Sequence, residues 1–185
     1  MITMRMWQNL ILSSERYLDI GYGDLPQPWI ASREAIYCTL PKEVEPCIYN
    51  GKILIGSAEQ AFIDCIIEGT MRPGSWQAIT PCFRDEPIGD DLHKPYFMKL
   101  ELIHYLPEHP EARLQIMLRE ARQVMSHILT PSDPPIEIQK TEAGFDLTLR
   151  GIEIGSYGIR SHVGHQWVYG TGIAEPRFTQ ALSAI

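Results

Sequence analysis

The sequence holds no block of basic residues: its 16 Lys and Arg lie scattered among 23 Asp and Glu, for a net charge of −7. A polybasic arm for phosphate backbones is thereby excluded, and composition does not suggest nucleic acid as a partner. No apolar run approaches the roughly eighteen residues that span a bilayer, so no membrane helix is expected. The opening stretch MITMRMWQNLILSSER lacks the longer apolar core and small-residue cleavage site of a secretory signal, and a cytoplasmic protein is expected. Cysteine is scarce: Cys38, Cys47, Cys65 and Cys82 fit neither a paired zinc knuckle nor a disulfide scaffold, which leaves buried thiols as the expectation. The G-x-S-x-G, Walker A and Cys-His nucleophile signatures are all missing. His162 and His165 form H-x-x-H without a third ligand at suitable spacing and read as loop histidines.

What is present is ordinary globular sequence, 185 residues at 44% hydrophobic and 21% charged, the size of one domain spanning residues 1–185. The runs IYCTL, PCIY and KILIG, broken by Pro and by Asn50-Gly51, read as short strands. From Ala58 to Glu68 the apolar residues Ala58, Phe62, Cys65 and Ile66 fall at helical spacing, with Gly69 as a stop. WQAITPCFRDE and PYFMKLELIHYL read as antiparallel neighbours joined by the polar loop PIGDDLHK. An amphipathic helix follows from Pro110 to about Leu129, then strands in IEIQK, GFDLTL and GIEIGSYGIR, and a helix in the tail after Gly170 and Gly172. Strands outnumber helices and do not alternate with them, so the expected class is α+β: an antiparallel β-sheet flanked by helices.

Charge collects on one of these strands. Phe97, Lys99 and Glu101 alternate along PYFMKLE and share a face, with Arg84 near the end of the neighbouring strand. Burying such ions costs several kcal/mol each unless they are paired or face a ligand. Two readings stand at this point: a ligand-binding face, or a solvated face with a cross-strand ion pair.

The stretch Phe83-Arg84-Asp85-Glu86, followed by His93-x-Pro95-x-Phe97-x-x-x-Glu101, resembles motif 2 of the class II aminoacyl-tRNA synthetases. The resemblance implies that Arg84 binds the ATP α-phosphate, that Glu86 contacts the adenine side, that His93 lies near the distal phosphates and that Phe97 stacks on adenine. A guanidinium suits the first role, because its planar fork meets two phosphate oxygens at once. Gly170-Thr171-Gly172-Ile173-Ala174-Glu175-Pro176-Arg177 is similar to motif 3, a Gly-rich turn entering a helix whose arginine, here Arg177, reaches the γ-phosphate. Ala174 stands where a glycine is common, and Pro176 before the arginine is unusual.

Glu153 and Ser156 occupy the spacing at which aspartyl-type members and ammonia-dependent asparagine synthetase hold Mg²⁺, and Arg160 matches the position that contacts their amino-acid substrate. Oxygen ligands are what Mg²⁺ requires. Ser57-Ala58-Glu59 is similar to the loop with which seryl-, threonyl- and prolyl-type enzymes grip the substrate ammonium, which would fall to Glu59. An ordinary capping box of Ser57 and Gln60 explains the same residues equally well. Lys99 and Glu101 complete the candidate substrate-binding set. The family's motif 1, a long helix and strand at the dimer interface, is not legible in the sequence.

The resemblance thus implies a minimal class II catalytic core that binds ATP, Mg²⁺ and an amino acid, forms an aminoacyl-adenylate, and assembles as a homodimer. Little chain separates Arg84 from Arg177 and no tRNA-reading part is visible. The expected acceptor is therefore something other than a whole tRNA: a carrier protein, a small amine or a tRNA fragment. The alternative, of a different class, is a non-catalytic paralogue that binds nucleotide, amino acid or a protein partner in a regulatory role.

Overall fold

The computed structural model describes residues 2–41, 44–84 and 95–184. Its first element is the helix α1 (Met4–Asp19), opened by Thr3, whose Oγ1 accepts the Met6 N–H. Met6, Asn9, Leu10, Ser13 and Tyr17 form its buried stripe. No helix is evident here in the sequence because the opposite side is apolar as well, with Met4, Trp7, Ile11 and Leu18 exposed, so the polar-apolar contrast that marks a surface helix is blurred.

β1 (Gly23–Asp24) is followed by a second helix, α2 (Arg33–Tyr37). The expectation of a strand at IYCTL fails at this point. Ile and Tyr favour strands, but Ser32 caps the segment by accepting the Ala35 N–H at 3.1 Å, and Ala35 and Ile36 bury on the inner side. Capping and burial override local preference. The short hairpin β2 (Ile48–Tyr49) and β3 (Lys52–Ile53), turned by Asn50 and Gly51 at positive φ, leads to α3 (Ala58–Ile67).

The remaining elements are β4 (Gly74–Phe83), β5 (Tyr96–Tyr105), α4 (Pro110–Ser126), β6 (Glu137–Lys140), β7 (Phe145–Leu149), β8 (Ile152–His162), β9 (His165–Glu175) and α5 (Arg177–Ser183). Seven strands form one sheet in the order β1-β4-β5-β9-β8-β7-β6. All its pairings are antiparallel except the parallel contact of β1 with β4. The architecture is α+β, as expected, with helices on both faces of the sheet.

One face is closed by α1, α4 and α5. Leu10, Tyr17, Met117, Leu118 and Phe178 pack there on Leu100, Leu147, Ile154, Tyr157 and Ile173. Gly170 and Gly172 belong to this packing and not to a turn: both lie within β9, which corrects the motif 3 expectation locally. A Cβ on Gly170 would stand 2.3 Å from Tyr157 Cδ1, and one on Gly172 2.9 Å from Leu100 Cγ. The glycines are needed for close approach inside a strand. The other face is covered over only part of its area, where Phe62, Ile63 and Ile66 of α3 pack on Ala78, Ile103, Tyr105 and Trp167. The uncovered part of that face carries the candidate site.

Candidate functional site

Strand alternation aims the polar residues of five strands at one surface. Cys82 pairs with Phe97, Thr80 with Lys99 and Ala78 with Glu101, so the expected Phe97, Lys99 and Glu101 row is present and faces the half-covered side. Arg84 follows the end of β4, and its guanidinium carbon lies 5.1 Å from the centre of the Phe97 ring. Such a cation over an aromatic face is worth about 0.5–1 kcal/mol when exposed.

A β-bulge sets the next pair. Asp146 pairs with Ser156, but Thr148 pairs with Glu153, because one extra residue of β8 is accommodated beside Leu147 and Thr148. Asp146 and Thr148 share a face, so Glu153 and Ser156, three apart in sequence, share it too. Strict alternation would place them on opposite faces. Arg177, the first residue of α5, reaches Glu153 at 3.2 Å. Burial, and then the Glu153 carboxylate, hold the Asp146 carboxyl above the usual range, with Arg177 opposing. Asp146 was not singled out from the sequence; only its register opposite Ser156 reveals it.

Glu101 is fully engaged. It accepts the Ser57 hydroxyl at 2.6 Å, the Lys99 ammonium at 2.8 Å and the backbone N–H of Ala58. A carboxylate at the first turn of α3 meets unpaired N–H groups and the positive end of the helix dipole. The capping box of Ser57 and Gln60 does not form: Ser57 Oγ caps the helix by accepting the Glu59 N–H at 3.3 Å, while Gln60 Oε1 takes the Gly56 N–H at 2.7 Å in place of that of Ser57. Among the described residues the ion pair of this row runs along one strand, from Lys99 to Glu101, and is largely buried.

Glu59 and Arg160 lie together in the fold. The sequence places them at opposite ends of a substrate, one for an ammonium and one for a carboxylate, but in the fold they bind each other. Trp167 Nε1 donates to the second Glu59 oxygen at 2.7 Å, and the Tyr169 ring lies 4.0 Å from the Arg160 guanidinium carbon. Burial pushes the Glu59 carboxyl up, with Arg160 opposing. Burial works most against the Arg160 charge, but Glu59, Tyr169 and Glu101 together oppose it and raise the guanidinium pKa. Trp167 and Tyr169 carry no motif, and their role is invisible until β9 is paired with β8.

A cleft of about 210 Å³ opens over this surface. Arg84, Lys99, Glu101, Ser156 and Arg160 line it from the sheet, Ser57 and Glu59 from the start of α3, and Ile36, Leu40, Val44, Pro46 and Leu54 from the opposite wall. Phe97, Glu153 and Arg177 are not part of that lining. Glu86 and His93 fall outside the described residues. Cys82 is buried, with its thiol pushed up to about 12 chiefly by burial, so it is no nucleophile, and Cys38, Cys47 and Cys65 are half-buried instead of buried. His162 closes β8 and His165 opens β9, so both are strand and not loop residues, and no metal-holding cluster of His, Cys, Asp and Glu occurs among the described residues.

No family model matches the chain. The protein superposes on a pyrrolysyl-tRNA synthetase from Desulfitobacterium hafniense with a TM-score of 0.72 at 17% identity, covering 95% of this chain and 68% of that one. It superposes equally on a seryl-tRNA synthetase from Pyrococcus horikoshii complexed with ATP, with a TM-score of 0.71 at 16% identity over 95% of this chain and 49% of that one. The fold is the class II aminoacyl-tRNA synthetase catalytic core. Sequence similarity points the same way: a serine–tRNA ligase of Coxiella burnetii is 30% identical over 128 residues, and one of Fervidobacterium nodosum 31% over 127. Each match takes in 60% of this chain and 30% of the relative, so the synthetase-like core spans under a third of the length of these ligases. Among the described residues no helix is long and apolar enough to cross a membrane.

Proposed function

We propose that this synthetase-like core binds ATP on the half-covered face of its sheet and activates an amino acid as an aminoacyl-adenylate. The observation that carries the reading is the convergence of Arg84, Phe97, Arg177, Glu153 and Ser156, from three strands and a helix, on the same open side of the sheet. The substrate carboxylate attacks the α-phosphate and pyrophosphate leaves, so the protein needs no nucleophile of its own. Arg84 would bridge α-phosphate oxygens, with Phe97 supporting the purine and Arg177 meeting the distal phosphates. Positioning and charge neutralisation would carry the rate.

Mg²⁺ fits the corner of Glu153 and Ser156: its donors are oxygens, and the Asp146 carboxyl, in register opposite Ser156, adds a further oxygen there. When bound there it would neutralise charge on the phosphates. The acceptor in this reading remains a carrier protein, a small amine or a tRNA fragment, and the setting is cytoplasmic. Exchange of labelled pyrophosphate into ATP, screened over the twenty amino acids, tests the proposal: stimulation by at least one is expected, and stimulation by none counts against it.

A homodimer is part of the same reading. α1 leads directly into the parallel strand β1, the helix-then-strand order that the sequence alone did not disclose. Met4, Trp7, Ile11 and Leu18 leave an apolar stripe along it, with Met4 at 74% and Ile11 at 50% exposure. Trp7→Glu places a charge in that stripe and is expected to convert a sedimenting dimer to a monomer; a parent that sediments as a monomer removes the dimer from the proposal.

One observation favours the second reading, a regulatory paralogue without catalysis. Glu59 with Arg160, and Glu153 with Arg177, are paired to each other across the site. A chain that binds ATP and never exchanges pyrophosphate would fit that reading.

A further inference from the structure

Resting on the adenylating reading, we infer that the cleft selects an amino acid whose side chain carries no charge, and that the Glu59–Arg160 pair enforces the choice. Among the described residues the cations and anions facing the cleft are Arg84, Lys99, Arg160, Glu59 and Glu101, with Glu45 exposed at the rim. Within the cleft, Lys99 is held by Glu101 and Arg160 by Glu59, and Glu101 is further occupied by Ser57 and Ala58.

An acidic side chain entering this cleft seeks a guanidinium, and with Arg84 committed to the α-phosphate in the adenylating reading that guanidinium is Arg160. To reach Arg160 it displaces Glu59, whose side chain is only 7% exposed and would keep a single N–H from Trp167. A buried carboxylate stripped of its ion partner is strongly unfavourable, and the incoming carboxylate would stand beside it. A basic side chain meets the mirror problem: it must take Glu59 from Arg160 and then sit against the released guanidinium, whose outer face is already covered by Tyr169. An uncharged side chain breaks neither pair. It meets Ile36, Leu40 and Leu54 on the opposite wall, where apolar surface is removed from water. Selectivity here works by exclusion, through pairs that a charged competitor must open.

The test is isothermal titration of free alanine, serine, valine, aspartate, glutamate, lysine and arginine into the parent and into Glu59→Gln. In the parent at least one uncharged amino acid binds about tenfold or more tighter than any charged one. Glutamine keeps the shape and the acceptor for Trp167 but leaves Arg160 without its carboxylate, so Glu59→Gln gains at least about tenfold for aspartate or glutamate relative to the parent. Equal binding of a charged amino acid by the parent overturns the inference, as does a folded Glu59→Gln with no gain for acids, or no binding of any of the seven. If the variant fails to fold, the parent's own ranking decides. Binding of an uncharged amino acid without pyrophosphate exchange sinks the adenylating reading and leaves the selectivity standing.

Discussion

Arg84→Ala abolishes the stabilisation that ATP with Mg²⁺ gives the parent and lowers pyrophosphate exchange by roughly a hundredfold or more. A ligand held only by the native state at a hundredfold excess over its dissociation constant stabilises by about 2.7 kcal/mol. For a chain of this size that is a rise of about 5–10 °C in melting temperature. Removing one preorganised donor aimed at developing charge costs about 10²–10³ in rate. The apo protein is expected to keep its fold, because Arg84 is half-buried at a sheet end and not in the core. Thermal melts of both proteins with and without ATP separate the cases. An apo loss as large as the loss of the ATP shift assigns Arg84 to structure; Arg84→Lys is expected to recover little, since a point charge replaces a fork.

How far the sequence carried the account depended on whether each signal was local. The hairpin β4–β5 and the row Phe97, Lys99 and Glu101 were legible because strand periodicity and a polar loop suffice to pair neighbours. α4 was legible from its single apolar stripe. α1 was not, because its second apolar stripe erases the contrast, and α2 was misread because a capping serine outweighed strand-favouring residues. The glycines of β9 were placed in a turn, whereas they serve packing against Tyr157, Leu100 and Tyr17.

The site divides the same way. Arg84, Glu153, Ser156 and Arg177 were proposed from linear motifs, which a sequence displays without its fold. The pairing of Glu59 with Arg160 spans 101 positions and depends on α3 packing over β4 and β5, beside β9 and β8 in the sheet order, which no local pattern encodes. Trp167, Tyr169 and Asp146 were missed for the same reason: each is assigned by register across strands.

Glu101→Ala is expected to cost about 3–5 kcal/mol of stability, the usual loss when one member of a buried ion pair is removed and its partner stays behind. Glu101 has a side-chain exposure of 6% and Lys99 of 13%, so the ammonium is left in a poorly solvated place. The Ala58 N–H at the start of α3 loses its acceptor as well. Urea unfolding of Glu101→Ala and of Lys99→Met with Glu101→Gln tells charge from packing: the double variant removes both ions and is expected to recover at least half of the loss. A cost under 1 kcal/mol for Glu101→Ala would mean that this carboxylate does not anchor α3 over the sheet, and the position of Glu59 above Arg160 would need another cause.

The central claim is that the open sheet face activates an amino acid with ATP, and the exchange of labelled pyrophosphate into ATP measures it most directly. The account predicts exchange that requires Mg²⁺, is stimulated by at least one uncharged amino acid, and is lost in Arg84→Ala. Exchange stimulated by none of the twenty amino acids, from a protein that still binds ATP, would contradict it.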